Sequence, residues 1–341
     1  MTAAVGVVVG AGYAACHHGE ILQGVFLDDR GRRCAGLVTL PLRGLGTRAE
    51  FVRRPGTGPS RVEVVPAGRT KALRAAVLAI EECAEHCQGE LCGGELRLSG
   101  DIPVGLGMGS SSSDVIAAVR AVADAHGVRL APETVARLAV RAERASDPLM
   151  LDGRPLLFAQ REGRVLEVLG AALPPLVVVG CTLGGGRPVD TDTLALAEAT
   201  YDDSDVGAYA RLRTLLRRAI VHADPALLGH VATQSARRGQ RRLAHAEFGA
   251  MTRIAGRFGA VGVQIAHSGC VAGLLFDPAS RALRHRLRQC TAALQGEGIP
   301  VTRTFTTHST SEEFPHGHPH RRGDRPARPH TPRRPPHLPA L

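Results

Sequence analysis

"PVGLGMGSSSSDVIAAV", residues 103–119, places glycines on three alternate positions, then four serines, then an apolar pattern at helical spacing. Glycine lets the backbone approach a ligand closely and adopt φ values that other residues avoid. A helix that begins after these residues presents unpaired N–H groups and the positive end of its dipole, both of which favour a phosphate group. The stretch therefore predicts a phosphate-binding loop.

The hydroxyl groups of Ser110, Ser111, Ser112 and Ser113 extend this prediction. They could bind phosphate oxygens or a magnesium ion, which prefers hard oxygen ligands. The alternative is a flexible Gly/Ser linker, but a strand pattern leads into the stretch and an amphipathic helix leads out of it. The G-x-x-x-x-G-K-[ST] pattern of a Walker loop does not occur in the sequence.

Composition limits the classes of function. The chain has 341 residues, 44% of them hydrophobic, which is enough for two domains or one large one. Aromatic residues make up 3% with no tryptophan, so stacking sites for single-stranded nucleic acid are poorly supplied despite a net charge of +10. Lys71 is the only lysine, and we interpret the arginine excess as coding bias, not as a recognition surface. No apolar run approaches the roughly 20 residues of a membrane span, and eight cysteines without a regular framework indicate a reducing cytoplasm.

Helical and strand patterns alternate along the chain, which indicates an α/β or α+β protein. Residues 308–341 contain eight prolines and six histidines with little to bury, and this tail is predicted to be disordered. Residues 5–9 are interpreted as a buried strand. The other strands are expected at 94–100, 175–181 and 270–278, and the helices at 69–87, 112–127 and 132–146 and within 194–258.

The phosphate-binding stretch resembles the second motif of the GHMP kinases, P-x-x-x-G-L-G-S-S, through Pro103, Gly107, Met108, Gly109, Ser110 and Ser111. "ACHHGEILQGVF" (15–26) resembles the first motif of the branch that includes L-threonine kinases. "GGGRPVDTDT" (184–193) and "VQIAHSGCVAGLLF" (263–276) are similar to later segments of the same branch, in the same order. Two departures are that His17 and His18 replace residues usual before the first-motif glutamate, and that Leu106 replaces a frequent lysine.

The resemblance implies an α+β, two-lobed kinase. Its N-terminal lobe, placed at residues 1–160, would resemble ribosomal protein S5 domain 2, and its C-terminal lobe, at 161–307, would be ferredoxin-like. It further implies that ATP is held by Pro103, Gly105, Gly107, Met108, Gly109 and Ser110 to Ser113, with the acceptor in the cleft between the lobes.

The same resemblance assigns roles to charged and polar residues. Asp147 is the catalytic base, and Glu143 with Ser111 holds Mg2+; Asp152 is a competing base, and a solvated helix end is the structural alternative. Glu143 and Asp147 would share a helix face if the helix continues that far. Substrate contacts are expected for Glu20, Asp190, Thr191, His267, Ser268 and Gly269. The alternatives are an exposed turn acid for Glu20, a buried, hydrogen-bonded His267 without chemistry, and a loop-stabilising role for Asp190 and Thr191.

We therefore predict an ATP- and Mg2+-dependent kinase that phosphorylates the hydroxyl of a small hydroxy-amino acid, with L-threonine preferred and homoserine or another small alcohol as alternative. A non-catalytic ATP- or metabolite-binding regulator of the same fold is the second hypothesis. Neither nucleic acid nor membrane is expected as a partner, and a monomer or homodimer in the cytoplasm is expected.

Two rival patterns remain. Gly10, Gly12 and Ala15 follow an apolar run in the G-x-G-x-x-A form of a dinucleotide fingerprint, with Asp28 and Asp29 near the distance of a ribose-binding acid. A helix should follow at once, and none is predicted. The second rival is a zinc site formed by Cys83, His86, Cys87 and Cys92, whose spacing matches no common zinc motif.

Overall fold

The computed structural model describes residues 8–86, 90–151, 153–187, 201–266 and 269–307. Several predictions concern residues outside these ranges: most of the strand at 5–9, Cys87, Asp152, Asp190, Thr191, His267, Ser268 and the tail at 308–341.

Two β-sheets organise the chain, one of six strands and one of four. The strands are β1 (Val9–Leu27), β2 (Arg33–Arg53), β3 (Val62–Val65), β4 (Gly94–Gly100), β5 (Leu156–Ala159), β6 (Arg164–Val168), β7 (Val177–Thr182), β8 (Gly262–Ile265), β9 (Val271–Phe276) and β10 (Val301–Thr306). The helices are α1 (Thr70–Cys83), α2 (Ser110–Ala125), α3 (Pro132–Glu143), α4 (Asp203–Val221), α5 (Pro225–Gly239), α6 (Phe248–Phe258) and α7 (Leu283–Gly296).

The six-stranded sheet and helices α1 to α3 form the first lobe. Its strands run in the order β3-β4-β2-β5-β6, and β1 pairs antiparallel with β2 over nearly its whole length. Strands β3 and β4 are parallel and are connected through α1. Helix α2 is rich in alanine and valine, and most of its residues are buried, which is the pattern of a helix enclosed on several sides. It therefore positions its N-terminus, and the glycine-rich loop before it, with little freedom.

The four-stranded sheet and helices α4 to α7 form the second lobe. All its pairings are antiparallel, and its strand order β10-β7-β9-β8 places the fourth strand of the lobe beside the first, and the third between the first and second. This is the ferredoxin-like arrangement. The α+β, two-lobed fold predicted from the motif resemblance is confirmed.

Strand β1 corrects two expectations. The strand predicted at 5–9 was to be buried, but β1 begins at Val9, which is 52% exposed although it pairs with Val52 of β2. The strand then continues through the segment where a dinucleotide-binding protein needs a helix, so the Rossmann interpretation is wrong. A Cβ on Gly10 would lie 2.2 Å from Ala125 N, so this glycine serves the packing of β1 against α2.

Helix α3 ends earlier than predicted. Its last residue is Glu143, and Arg144 has a left-handed φ of 71°, which terminates the helix. Asp147 therefore does not continue the helical face of Glu143, although both reach the same site.

The predicted division between residues 160 and 161 stays a prediction. Strand β6 lies beyond it and pairs with β5 in the first sheet. Buried side chains from both lobes, among them Phe26 of β1, Tyr209 of α4 and Leu275 of β9, belong to one apolar cluster between the sheets. Within the described ranges, no helix combines the length and apolar character needed to cross a membrane.

Candidate active site

An irregular segment of β1 brings polar groups to the boundary of the two lobes. The pairing of β1 with β2 shifts register between Ala15 and Cys16 and twice more before Leu22. Such bulges redirect side chains and are common beside functional sites. Here they direct His17 toward the glycine-rich loop and His18 toward the second sheet, and Gly19 between His18 and Glu20 has a left-handed φ of 67°.

The glycine-rich loop has the backbone that its sequence predicts. Gly105, Gly107 and Gly109 all have positive φ values, 77°, 85° and 71°. Helix α2 begins immediately afterwards at Ser110, and no side chain in the described part of the chain caps its N-terminus. The first N–H groups of α2 are thus oriented to receive an anion, as phosphate binding requires.

The loop lies directly against the glycine-containing segment before β9. Leu106 O accepts hydrogen bonds from Cys270 N at 3.0 Å and from Val271 N at 2.8 Å. A Cβ on Gly269 would lie 2.4 Å from Gly107 Cα, so no larger residue fits either position without displacement. The second and third motifs are therefore joined across the lobes, and Gly269 contacts the loop itself.

Glu143 is a buried carboxylate that accepts two hydroxyl groups. Ser111 Oγ donates to its Oε2 at 2.7 Å, and Ser112 Oγ donates to its Oε1 at 2.8 Å. Burial raises the pKa of the Glu143 carboxyl to about 7, and among the described residues it has no cationic partner. This set of hard oxygen donors, buried and without a counter-charge in that part of the chain, fits a divalent cation such as Mg2+.

Asp147 lies beside Glu143 but is stabilised differently. Its backbone N–H donates to Ser112 Oγ at 3.1 Å, and its Oδ2 lies 3.0 Å from His17 Nε2. Burial alone would raise the pKa of the Asp147 carboxyl, but the adjacent His17 charge holds it below its usual range. A Cβ on Gly109 would lie 3.1 Å from Asp147 Oδ2, which places this carboxylate at the start of α2.

His18 joins the first lobe to the second sheet. Its Nδ1 lies 3.2 Å from Gln264 Oε1 on β8, and its ring centre lies 5.0 Å from that of Phe305 on β10. A Cβ on Gly180 of β7 would approach His18 Nε2 to 2.6 Å, and one on Gly273, its partner on β9, would approach His18 Cε1 to 3.5 Å. Burial lowers the pKa of His18 to about 4, so the ring is neutral. We call these four residues, Gly180, Gln264, Gly273 and Phe305, the His18 socket.

The remaining predicted site residues lie in different surroundings, some buried in the packing of the lobe and some at the surface of the loop. Glu20 is buried, and its Oε1 lies 4.0 Å from His17 Nδ1. Met108 contributes its carbonyl, which accepts from His17 N at 3.2 Å. Ser113 Oγ donates to Ala14 O at 2.7 Å and accepts from Thr47 N at 3.1 Å, so its hydroxyl is used in joining α2 to β1 and β2. Ser110 and Pro103 stand at the loop surface, half-buried and exposed respectively.

Sequence reasoning assigned no role to His17 or His18. The available signal was the pair of adjacent histidines at the position where the first motif departs from its usual residues. Their partners, Asp147 and Gln264, are distant in sequence, so the spacing of residues could not reveal them.

Two groups of side chains in the described ranges have the proximity of metal ligands: His17, Glu20 and Asp147, and the largely exposed Glu82, Glu85 and His86. Neither includes a cysteine, and Cys92 Sγ accepts from Arg53 Nε at 3.3 Å. In the first group, Nδ1 of His17 faces Glu20 and Nε2 faces Asp147. Because Nε2 already lies 3.0 Å from Asp147 Oδ2, we interpret this arrangement as an ion-paired histidine.

Several known proteins are similar to this chain in sequence. The family model "GHMP kinases N terminal domain" matches residues 72–150. An L-threonine kinase from Salmonella typhimurium is 26% identical over 267 residues, which cover 77% of this chain and 81% of that protein.

Solved structures share the fold. A homoserine kinase from Cytophaga hutchinsonii superposes with a TM-score of 0.61 at 17% identity, over 88% of this chain and 94% of that one. The mevalonate kinase of L. major gives a TM-score of 0.57 at 17% identity, over 89% and 95% of the two chains.

Proposed function

We propose that this chain, which has the N-terminal domain and two-lobed fold of the GHMP kinases and is a phosphotransferase of that type, transfers the γ-phosphate of ATP to the hydroxyl group of L-threonine. Its relation to an L-threonine kinase over most of both chains supports the acceptor. Homoserine and other small alcohols are the alternatives.

The observation that carries the proposal is the convergence of two carboxylates at the start of α2. Glu143 is bonded to Ser111 and Ser112, and Asp147 lies 3.0 Å from His17, next to Gly109. Phosphoryl transfer depends on positioning and on charge stabilisation, with one group orienting the acceptor hydroxyl. The free N–H groups of α2 would receive the ATP phosphates, and the ionised Asp147 would orient the acceptor.

In the proposed reaction, the acceptor oxygen forms a bond to the γ-phosphorus while the bond from that phosphorus to the β–γ bridging oxygen breaks. The hydroxyl proton passes to the Asp147 carboxylate, and ADP leaves. Glu143 and Ser111 would hold Mg2+, which neutralises charge on the phosphate oxygens. Glu20, buried close to His17 at the lobe boundary, is proposed to meet the substrate ammonium.

The test is ADP release from Mg-ATP with L-threonine, L-serine, L-homoserine and mevalonate, using the wild type and Asp147→Asn. Turnover with L-threonine that Asp147→Asn lowers by about 100-fold or more is expected, since a positioned proton acceptor contributes about 10²–10⁴-fold. If another alcohol is the better substrate, that alcohol replaces L-threonine as the proposed acceptor. ATP binding without turnover of any alcohol would favour the regulator hypothesis, and full activity of Asp147→Asn would remove the proposed base.

A further inference from the structure

Both ring nitrogens of His17 face oxygen acceptors. Nδ1 lies 3.1 Å from the carbonyl oxygen of Gly19, and Nε2 lies 3.0 Å from Asp147 Oδ2. A carbonyl oxygen can only accept, so Nδ1 carries a proton. A neutral imidazole would then present only a lone pair at Nε2, and a lone pair 3.0 Å from an ionised carboxylate is repulsive, so the close approach favours a second proton within the His17–Asp147 pair, held as an ion pair and not as an aligned hydrogen bond.

The His17 ring is held on several sides. Its backbone N–H donates to Met108 O in the glycine-rich loop at 3.2 Å. A Cβ on Gly109 would lie 2.6 Å from His17 Cδ2, so the absence of a side chain at Gly109 makes room for the ring. The side chain of His17 is only 2% exposed, whereas that of Asp147 is 20% exposed. Asp147 thus has an open side, and His17 lies on its buried side.

The charges around the ring decide where the proton resides. Burial opposes a charge on His17, but Asp147 and, from its own strand, Glu20 outweigh it and raise the pKa of His17 to about 9. The neighbouring His18 is neutral. The positive charge of Arg303 on β10 lowers the pKa values of His18 and Cys16. The positions of the two oxygen atoms and this balance of charge both place the second proton on His17.

We infer that His17 is a positively charged positioning residue, which fixes the Asp147 carboxylate, ionised, at the start of α2. The inference rests on the proposed function, because it assigns the reason that Asp147 can serve as acceptor-orienting group. Without a cation beside it, a buried aspartate takes up a proton more readily and loses its ability to accept the substrate hydroxyl.

The kinetic test compares His17→Gln with His17→Ala and the matched control His126→Gln. Glutamine keeps a donor without charge. His126 is also buried in the first lobe, and its ring is hydrogen-bonded to Val122 O. It follows the far end of α2, whose 16 residues at a rise of 1.5 Å each separate it from the loop by about 24 Å. We expect His17→Gln to lower kcat by about 100-fold, in line with the effect of disturbing a positioned proton acceptor, with the KM for ATP little changed. The alanine variant should be slower still, and His126→Gln should keep its kcat.

A pH profile separates positioning from a purely structural role. Wild-type kcat should fall as pH rises through about 9, where His17 loses its proton. In His17→Gln this alkaline decline should be absent, and an acid decline should move to higher pH because the pKa of Asp147 rises. A variant that is merely less stable would keep the wild-type profile, and that result, or wild-type kcat in His17→Gln, would overturn the inference.

A second measurement does not depend on turnover. In protein labelled with 15N-histidine, the His17 signals are identified by their loss in His17→Gln. Both ring nitrogens should be protonated at pH 7.5 in the wild type, and the ring should be neutral in Asp147→Asn. A neutral His17 in the wild type would overturn the inference. A charged His17 in a protein that phosphorylates no alcohol would support the pair and reject the proposed function instead.

Discussion

Glu143 and Asp147 are two carboxylates at one site whose surroundings shift their pKa values in opposite directions. Burial beside neutral hydroxyl groups raises the pKa of Glu143 to about 7, whereas the pKa of Asp147 lies below its usual range because His17 outweighs burial. Pairs of titratable groups that differ in this way often divide the work of a site. This difference supports the proposal that Asp147 orients a hydroxyl and Glu143 binds a cation.

Glu143→Gln tests the cation-binding role, with Glu133→Gln as control on an exposed position of the same helix. We expect the Glu143 variant to lower kcat/KM for Mg-ATP by at least about 100-fold, or about 2.7 kcal/mol. Its melting temperature at pH 8 should not fall, because the variant removes a buried charge that has no cationic partner among the residues described. If Glu143→Gln keeps the activity of the wild type as the Mg2+ concentration is raised, the assignment is contradicted.

Gly109→Ala tests the space that the loop leaves for His17. Alanine at a φ of 71° costs about 1–2 kcal/mol, and its Cβ would also collide with the His17 ring. Gly127 has a φ of 69°, and a Cβ added there would meet nothing within 4 Å, so Gly127→Ala carries the same backbone cost alone. Gly109→Ala should therefore lose more stability in urea unfolding than Gly127→Ala, and only Gly109→Ala should lower kcat, by about 100-fold. Equal kcat values would show that the ring does not depend on this space.

Among the elements, those with a strong local pattern were predictable. The loop at 103–109 and the helix after it depend on neighbouring residues, and the positive φ values follow directly from the glycine spacing. The end of α3 could not be predicted from the sequence, because Arg144 is not a glycine and gives no signal of its left-handed φ. The irregular part of β1 could not be predicted either, since its bulges are stabilised by contacts with Met108, Asp147 and Gln264, which are far away in sequence.

The His18 socket is the element-scale contact most open to measurement. Gly180→Ala places a Cβ 2.6 Å from His18 Nε2, and such overpacking costs about 1–3 kcal/mol. In a His18→Ala background the collision disappears, so the same substitution should cost less. The double-mutant cycle in urea unfolding should show a coupling of about 0.5–3 kcal/mol. Additive effects would mean that His18 does not fill this space.

On the scale of the whole molecule, the two adjacent histidines give stability opposite dependences on pH. The folded-state pKa of His18, about 4, lies below the value of 6.5 for an unperturbed histidine, so its contribution is lost as pH falls through this window. The pKa of His17 is raised to about 9, so its contribution is present below 6.5 and is lost as pH rises toward 9.

We therefore expect the free energy of unfolding of the wild type to fall between pH 6.5 and 4 by about 3 kcal/mol more than that of His18→Ala, at 1.36 kcal/mol for each pKa unit. Urea unfolding of both proteins across this range measures the difference. Parallel curves would show that His18 is not held neutral in the folded protein.

Strand β1 lies in the sheet of the first lobe but is covered by residues of the second, and this has a consequence for synthesis on the ribosome. Its buried residues Ile21 to Phe26 are made well before the groups that cover them: Tyr209 packs at Gly24, and Ser235 Oγ accepts from Gln23 N at 3.1 Å. At about 5–20 residues per second, this apolar segment waits on the order of ten seconds or more for its cover. The nascent chain thus carries an exposed strand during that interval, and protection by a chaperone would then raise the yield of native enzyme.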